Sequence, residues 1–329
     1  MTRPVVVLGD VNVDLTLRVP DRAIPRAART LNEPELTGGG TAGNTAAALA
    51  RLGVPVEFVG SIGDDGFGRW IAADFAALGV GCRGLVVLDV PTAQVIALLE
   101  PDGDRSLVVW PTDGGALTFL RPEDLDADLV TGAAWLHTTG MCLRDSPVRD
   151  TMLAGMRLAR AAGVRVSLDL NLRIELWGLD AEKRAAVVAA VELADVVLGN
   201  GPEELLQVAG GDSVEAAVTA IGDGRRTVVA RLGAEGALAC DADGSLVRSP
   251  GFQVAARNTV GAGDAFDAGF VAATVEGRTL AEALRWGNAV AALKVSRPGG
   301  ARDLPSRAEV EALLATPDDP RADGRARSE

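Results

Sequence analysis

Arg257-Asn258-Thr259-Val260-Gly261-Ala262-Gly263-Asp264-Ala265-Phe266-Asp267-Ala268-Gly269-Phe270 is the stretch on which the reading of this chain turns. The small residues Gly261, Ala262 and Gly263 precede a helical run, so their backbone N–H groups are expected to converge where the helix dipole adds positive potential. That arrangement is an anion hole. Asp264, at the helix start, reads in two ways. It is an N-terminal dipole partner of the helix, or it is a base for an alcohol proton beside donors that stabilise a transferred phosphoryl group.

A second glycine stretch, Gly38-Gly39-Gly40-Thr41-Ala42-Gly43-Asn44, has the spacing G-x-G-x-x-G. It fails the context of a dinucleotide site, because residues 31–36 are polar and interrupted by Pro34, whereas the buried strand Val5-Val6-Val7-Leu8 leads into Gly9-Asp10-Val11-Asn12. Ala-rich runs end in Leu52-Gly53-Val54, Leu78-Gly79-Val80 and Ala162-Gly163-Val164, and β-rich segments follow at 56–59, 85–88 and 164–168. Further strands are expected at 195–198 and 227–230. Such alternation predicts an α/β fold with a mainly parallel sheet and helices on both faces. Residues 14–36 and 92–110 break the pattern and are expected as antiparallel strands of a small β lid, the second turning at Pro101-Asp102-Gly103-Asp104.

A chain of 329 residues with 48% hydrophobic composition can bury a large core. Its 32 basic against 45 acidic residues give a net charge of -13, which repels phosphate backbones and argues against nucleic acid as a partner. No apolar run has membrane-spanning length, and the N-terminus enters a strand at once, so a soluble cytoplasmic protein is expected. Cys82, Cys142 and Cys240 are odd in number and lack a C-x-x-C, which leaves them as buried thiols. The only histidine, His137, excludes multi-histidine metal sites and reads as a structural strand-end residue. Residues 317–329 are too polar to fold and are expected to be a disordered tail.

The decisive stretch resembles the C-terminal signature of the pfkB carbohydrate kinases of the ribokinase superfamily, and Gly39 and Gly40 through Asn44 to Gly53 resemble their N-terminal signature. The likeness spans nearly the whole chain, through Gly9 to Asp14, Gly63-Asp64-Asp65-Gly66-Phe67-Gly68, Asn200-Gly201-Pro202-Glu203 and Arg297-Pro298-Gly299-Gly300. It implies a ribokinase-like three-layer α/β/α sandwich, one domain over residues 1–316, with lid insertions at about 12–37 and 91–112. It also implies an ATP- and Mg²⁺-dependent enzyme that phosphorylates a hydroxyl of a small sugar, with a homodimer formed through the lid. Under the resemblance Asp264 is the base, and Gly261, Ala262 and Gly263 form the anion hole. Asn12, Asp14, Gly39, Gly40 and Asn44 face the sugar. Asn200 and Glu203 hold Mg²⁺ through water, Gly233 and Gly236 line the ATP phosphates, and Asn288 lies near the adenine. Taken alone, Asn200 and Glu203 also read as an ordinary helix start after a strand. Arg231 replaces a small polar residue of many relatives, and reads as a phosphate grip or as a strand-end charge in solvent.

The stretch Asp169-Leu170-Asn171-Leu172-Arg173-Ile174-Glu175-Leu176-Trp177 resembles fructokinases and 2-keto-3-deoxygluconate kinases, with Arg173 as a sugar ligand or as an ion-pair partner of Glu175. Asp113 stands on the lid segment where relatives acting on acid sugars present an arginine, which favours a neutral ketose or pentose such as fructose or ribose. A 2-keto-3-deoxygluconate or nucleoside kinase is the alternative, and a non-catalytic sugar- or nucleotide-binding relative is the alternative from another class. Asn258 stands where potassium-activated relatives carry an Asp, so a monovalent-cation site is expected to be weak or empty.

Overall fold

The computed structural model describes residues 3–18, 35–99, 105–174 and 178–316. Its main sheet has nine strands, numbered with the lid strands in chain order. They are β1 (Val5–Leu8), β4 (Val56–Gly63), β5 (Gly81–Leu88), β8 (Trp135–Thr139), β9 (Arg165–Asp169), β10 (Val196–Asn200), β11 (Thr227–Arg231), β12 (Ala237–Cys240) and β13 (Leu246–Ser249). The order is β13-β12-β11-β10-β9-β8-β1-β4-β5. From β11 to β5 every neighbouring pair is parallel, and β12 and β13 append an antiparallel edge.

The strands are apolar at successive positions because both faces of a parallel sheet are covered. Val5 and Val7 enter one core with Phe58, Leu49, Phe266 and Trp286, whereas Val6 and Leu8 enter the opposite core with Leu136, Met152 and Leu168. Helices Thr41–Arg51, Ala262–Val275 and Leu280–Val295 cover the first face, and Val148–Ala161, Ala181–Leu193 and Val214–Gly222 cover the second. The helix Ala262–Val275 is buried on nearly every side from Asp264 to Ala273. It lies close against Leu280–Val295 because Gly269 and Gly287 face the neighbour: a Cβ at Gly269 would stand 2.8 Å from Val290 Cγ2, and one at Gly287 2.8 Å from the Phe266 ring. That close seam fixes where the helix begins.

The second sheet contains β2 (Asn12–Arg18), β3 (Glu35–Gly39), β6 (Gln94–Leu99) and β7 (Arg105–Trp110) in the order β3-β2-β6-β7. The β2–β3 and β6–β7 pairs are antiparallel as expected, but the seam between β2 and β6 is parallel. Strands β2 and β6 continue outward from β1 and β5, which themselves run parallel in the main sheet, so they leave it in the same direction. The expected turn at 101–104, residues 19–34 of the first insertion and the expected tail at 317–329 lie outside the described residues.

Candidate active site

Asp169, Asn200 and Arg231 close strands β9, β10 and β11, and Asn200 stands directly beside Arg231 in the register. Ligand sites of open α/β sheets form outside these carboxyl ends of the strands. The N-terminus of helix Ala262–Val275 is aimed at this edge, brought there by the packing seam with its neighbour. Its first turn carries Asp264, 8% exposed, whose Oδ2 accepts a 2.8 Å hydrogen bond from Asn44 Nδ2. Burial raises the Asp264 pKa to about 7, with the Asp169 and Asp10 carboxylates adding to the rise and Asn44 and Arg231 opposing it. A carboxyl tuned to that range accepts a proton near neutral pH.

Gly261 begins the helix with φ 77, the left-handed conformation that lets the chain turn sharply into its first residues, and no side chain caps it. Ala262 N–H is turned back to Thr259 O at 3.2 Å, whereas the N–H groups of Gly261, Gly263 and Asp264 have no acceptor among the described residues. A helix end left open in this way accepts an anion. The other glycine stretch is built differently. Gly40 precedes helix Thr41–Arg51, but Asp10 fills that end: its Oδ2 accepts from Thr41 N–H at 2.8 Å, its Oδ1 from Ala42 N–H at 3.2 Å, and its carbonyl oxygen from Gly43 N–H at 3.0 Å.

Arg231 is not the strand-end charge in solvent that one reading of the sequence allowed, because its side chain is 15% exposed. Nη1 donates to both oxygens of Asp267 at 2.7 and 2.8 Å, Nη2 donates to Asp169 at 2.7 Å, and Glu204 stands 3.8 Å away. Both terminal nitrogens are thus held by carboxylates in a buried ion-pair network. Burial disfavours the charge of Arg231, but Asp169, Asp267 and Glu204 outweigh it and hold its pKa above the ordinary value. The guanidinium lies under the open turn, because a Cβ on Gly263 would stand 3.3 Å from Arg231 Cζ.

On the lid side, Asn12 pairs with Gly39 in the β2–β3 register, and Asn12 Nδ2 donates to Asp14 Oδ1 at 2.6 Å. Burial raises the Asp14 pKa, opposed by that hydrogen bond. Asn12, Asp14, Gly39, Gly40 and Asn44 therefore gather where the lid meets the main sheet, with Asn44 reaching Asp264. Arg173 is exposed and has φ 47, and its alternative partner Glu175 lies outside the described residues. Asp113 follows β7 and its carboxylate accepts from Gly115 N–H at 3.1 Å.

Toward β13 and the strand ends lie the residues expected near the nucleotide. Asn200 caps the following turn, accepting from Glu203 N–H at 3.1 Å, while its Nδ2 donates to Glu203 Oε2 at 3.0 Å. The ordinary helix-start reading of this pair is therefore realised in its geometry. Gly233 and Gly236 bound a short turn between β11 and β12, and Gly236 is pressed against Ser249 O, where a Cβ would approach to 2.2 Å. Asn288 is buried, its Nδ2 shared among Ser249 O, Ser249 Oγ and Pro250 O at 3.1 to 3.2 Å.

Four carboxylates of the site escaped the sequence reading as functional residues: Asp10, Asp169, Glu204 and Asp267. Glu204 accepts from Leu172 N–H and Asn200 N–H, each at 2.8 Å, so it ties two strand ends together. The available signal was chemical. Asp267 sits in a helix that is otherwise apolar or small after Asp264, and a buried charge requires a partner.

Comparison with known proteins agrees with this architecture. The family described as "pfkB family carbohydrate kinase" matches residues 2–307. An "ATP-dependent ribose-1-phosphate kinase" of Halopiger xanaduensis is 35% identical over 309 residues, which cover 93% of this chain and 96% of the relative. "Probable fructokinase-4" of Arabidopsis thaliana is 29% identical, over 94% of this chain and 96% of the relative. Among solved structures, "a putative Ribokinase II in complex with ATP and Mg+2 from E.coli" superposes with a TM-score of 0.85 at 25% identity, covering 95% of this chain and 99% of the other.

Proposed function

The chain belongs to the pfkB carbohydrate kinases, a ribokinase-like family of ATP-dependent sugar kinases, and from that premise we propose that it phosphorylates a hydroxyl of a small neutral ketose or pentose with Asp264 as the base. The observation that carries the residue assignment is the pairing of a buried carboxyl with pKa about 7 with an open helix end one residue away. Asp264 takes the hydroxyl proton as the oxygen attacks the γ-phosphorus, whose bond to the β,γ-bridging oxygen breaks so that ADP leaves. The open N–H groups of Gly261 and Gly263 then stabilise the negative charge on the transferring group, while Ala262 N–H stays on Thr259 O.

Asn12 and Asp14 orient the acceptor sugar through its other hydroxyls, Gly39 and Gly40 bring backbone close to it, and Asn44 holds Asp264 in place while lining the same side. Arg173 reaches the sugar from the segment after β9. The ATP phosphates extend from the 261–263 turn past Gly233 and Gly236, with the base toward Asn288. Arg231 acts from beneath, its positive charge fixing Asp169, Asp267 and Glu204 around the turn. Asn200 and the exposed Glu203 fit water-mediated contact with Mg²⁺, which when bound would screen the charge of the nucleotide phosphates. Among the described residues no group of three or more His, Cys, Asp or Glu side chains forms a metal cage.

Residues 1–316 are taken as one catalytic domain with its lid. A homodimer through the lid suits strand β7, where Leu107, Val108, Val109 and Trp110 are 45 to 53% exposed. Cytoplasmic residence belongs to the same reading, and among the described residues no helix is long and apolar enough to cross a membrane. The test is a coupled ADP-release screen over fructose, ribose, tagatose, 2-keto-3-deoxygluconate and nucleosides. A neutral ketose or pentose is expected to give the highest kcat/KM. Preference for an acid sugar or a nucleoside would overturn the substrate assignment, and no acceptor-dependent ADP formation at all would overturn the activity.

A further inference from the structure

The loop that leads into the open helix end is tied to the far end of helix Leu280–Val295. Arg257 N–H and Asn258 N–H both donate to Val295 O, at 2.7 and 3.2 Å. Asn258 spends its side chain on the same junction, with Oδ1 accepting from Val260 N–H at 2.9 Å and Nδ2 donating to Pro298 O at 3.4 Å. Lys294 completes it. This lysine is 0% exposed, and its acceptors among the described residues are two backbone carbonyls, Asn258 O at 3.3 Å and Gly299 O at 3.5 Å.

A buried lysine is rare unless a charge answers it. Here no carboxylate is within ion-pair distance among the described residues, and Asp303 and Asp264 act on Lys294 only through space. Burial lowers its pKa from the ordinary value, while those two carboxylates favour the charged form. Carbonyl oxygens converging on a monovalent cation replace its hydration shell. An ammonium is a compact point charge able to occupy such a place. The two carbonyls belong to the two loops that meet at Gly261, where a Cβ would stand 2.9 Å from Ala301 Cβ. A cation between them pins both loops and adds positive potential next to the open N–H groups.

We propose that Lys294 is a positioning residue whose ammonium serves as a tethered monovalent cation, holding the 258–263 turn in its anion-binding shape without an ion from solution. The inference builds on the phosphotransfer reading of that turn but does not need the sugar to be known. It also gives the weak potassium response expected from Asn258 a specific structural cause: Asn258 Oδ1 is engaged by Val260, and a side-chain cation already bridges the carbonyls.

The test compares wild type, Lys294→Ala and Lys294→Met in tetramethylammonium buffer, with K⁺ or NH₄⁺ added at constant ionic strength. Two readouts are used: Tm without substrates, and kcat and KM with the best acceptor. Wild type is expected to show no K⁺-specific change in either. Lys294→Ala is expected to lose on the order of 10²-fold in kcat, because displacing a reacting geometry by about 1 Å costs that much. Added K⁺ or NH₄⁺ should raise both its kcat and its Tm. Lys294→Met fills the space without a charge, so it should stay folded, lose kcat and gain nothing from the ions. A saturable activation of wild type by K⁺, an unimpaired Lys294→Met, or a folded Lys294→Ala that no monovalent cation restores in Tm or kcat would each overturn the proposal. The Tm arm separates its failure from a failure to find the sugar.

Discussion

Helices Thr41–Arg51 and Ala262–Val275 each begin with a glycine of positive φ, and their first turns are wired in opposite ways. At Gly40 (φ 85) the end of helix Thr41–Arg51 is closed from within: Asp10 satisfies Thr41, Ala42 and Gly43. At Gly261 (φ 77) the end of helix Ala262–Val275 keeps the N–H groups of Gly261, Gly263 and Asp264 without an acceptor among the described residues. Both ends are fields that attract negative charge. One has its anion built into the fold, and burial raises the pKa of that carboxyl, Asp10, against the pull of the Thr41 and Ala42 N–H groups. The other keeps its N–H groups open, and under the proposed function they receive an anion that arrives with the substrate. The same local sequence device thus serves structure in one place and, in the proposed function, chemistry in the other, with the neighbouring carboxylate making the difference.

The sharpest way to break this comparison is to neutralise the carboxyl beside the open end. Asp264→Asn preserves shape and the contact with Asn44, and it should lower kcat by about 10²- to 10⁴-fold, the usual worth of a general base. Calorimetric affinities for ATP and sugar should change little. An Asn variant that keeps most of its turnover would make Asp264 a helix-end residue like Asp10. The same substitution tests linkage. Because the folded pKa of Asp264 lies above its unfolded value near 3.8, the native state holds an extra proton between about pH 4 and 7. Stability contributed by this group is therefore present at low pH and lost as pH rises to about 7. Relative to wild type, Asp264→Asn should be more stable at pH 8 than at pH 5, as read by Tm.

Removing the carboxylate at the closed end should act on stability instead. Asp10→Ala strands N–H groups of a buried helix start, and leaving such groups unpaired costs about 1–3 kcal/mol. Denaturant unfolding would read this loss, with kcat measured on the folded fraction falling far less than in Asp264→Asn. A comparable collapse of kcat would mean that the two ends are not functionally distinct.

Much of this was legible in the sequence, for reasons that differ by region. Strands β4 and β9 follow helices whose ends are marked by Gly53 and Gly163, and β1, β10 and β11 are short apolar runs whose burial on both faces leaves little freedom in reading them. The turn at 261–263 was legible as a candidate only, because Gly38-Gly39-Gly40 offers the same pattern before a helix whose end Asp10 closes. The lid strands were legible as strands but not in direction, since the parallel β2–β6 seam is set by the main sheet from which both depart. The ion-pair network around Arg231 was not legible. Its members come from β9, β11, the turn after β10 and helix Ala262–Val275, and no local pattern announces that Asp169, Glu204 and Asp267 converge on one guanidinium. Lys294 was hidden for the same reason, being one lysine in a helix whose partners are backbone atoms of two distant loops.

A smaller effect is expected at the lid. Asn12→Ala removes one hydrogen-bonding side chain from the sugar side while sparing both helix ends, so sugar binding should weaken by about 0.5–1.5 kcal/mol, the net worth of one hydrogen bond. Steady-state kinetics should show this as a raised KM for sugar with KM for ATP unchanged. A change confined to ATP would place Asn12 on the wrong side of the site.

The pH dependence of kcat/KM bears most directly on the central claim, because it reports the protonation of the free enzyme's essential groups. His137, the chain's one histidine, is pushed down to about 4 by burial, so it does not supply a limb near neutrality. If Asp264 is the base beside the open helix end, kcat/KM for the best sugar rises with pH and levels off above an apparent pKa of about 7. That limb should be absent from the residual activity of Asp264→Asn. A profile flat from pH 5.5 to 9, or the same limb in the Asn variant, would contradict the assignment.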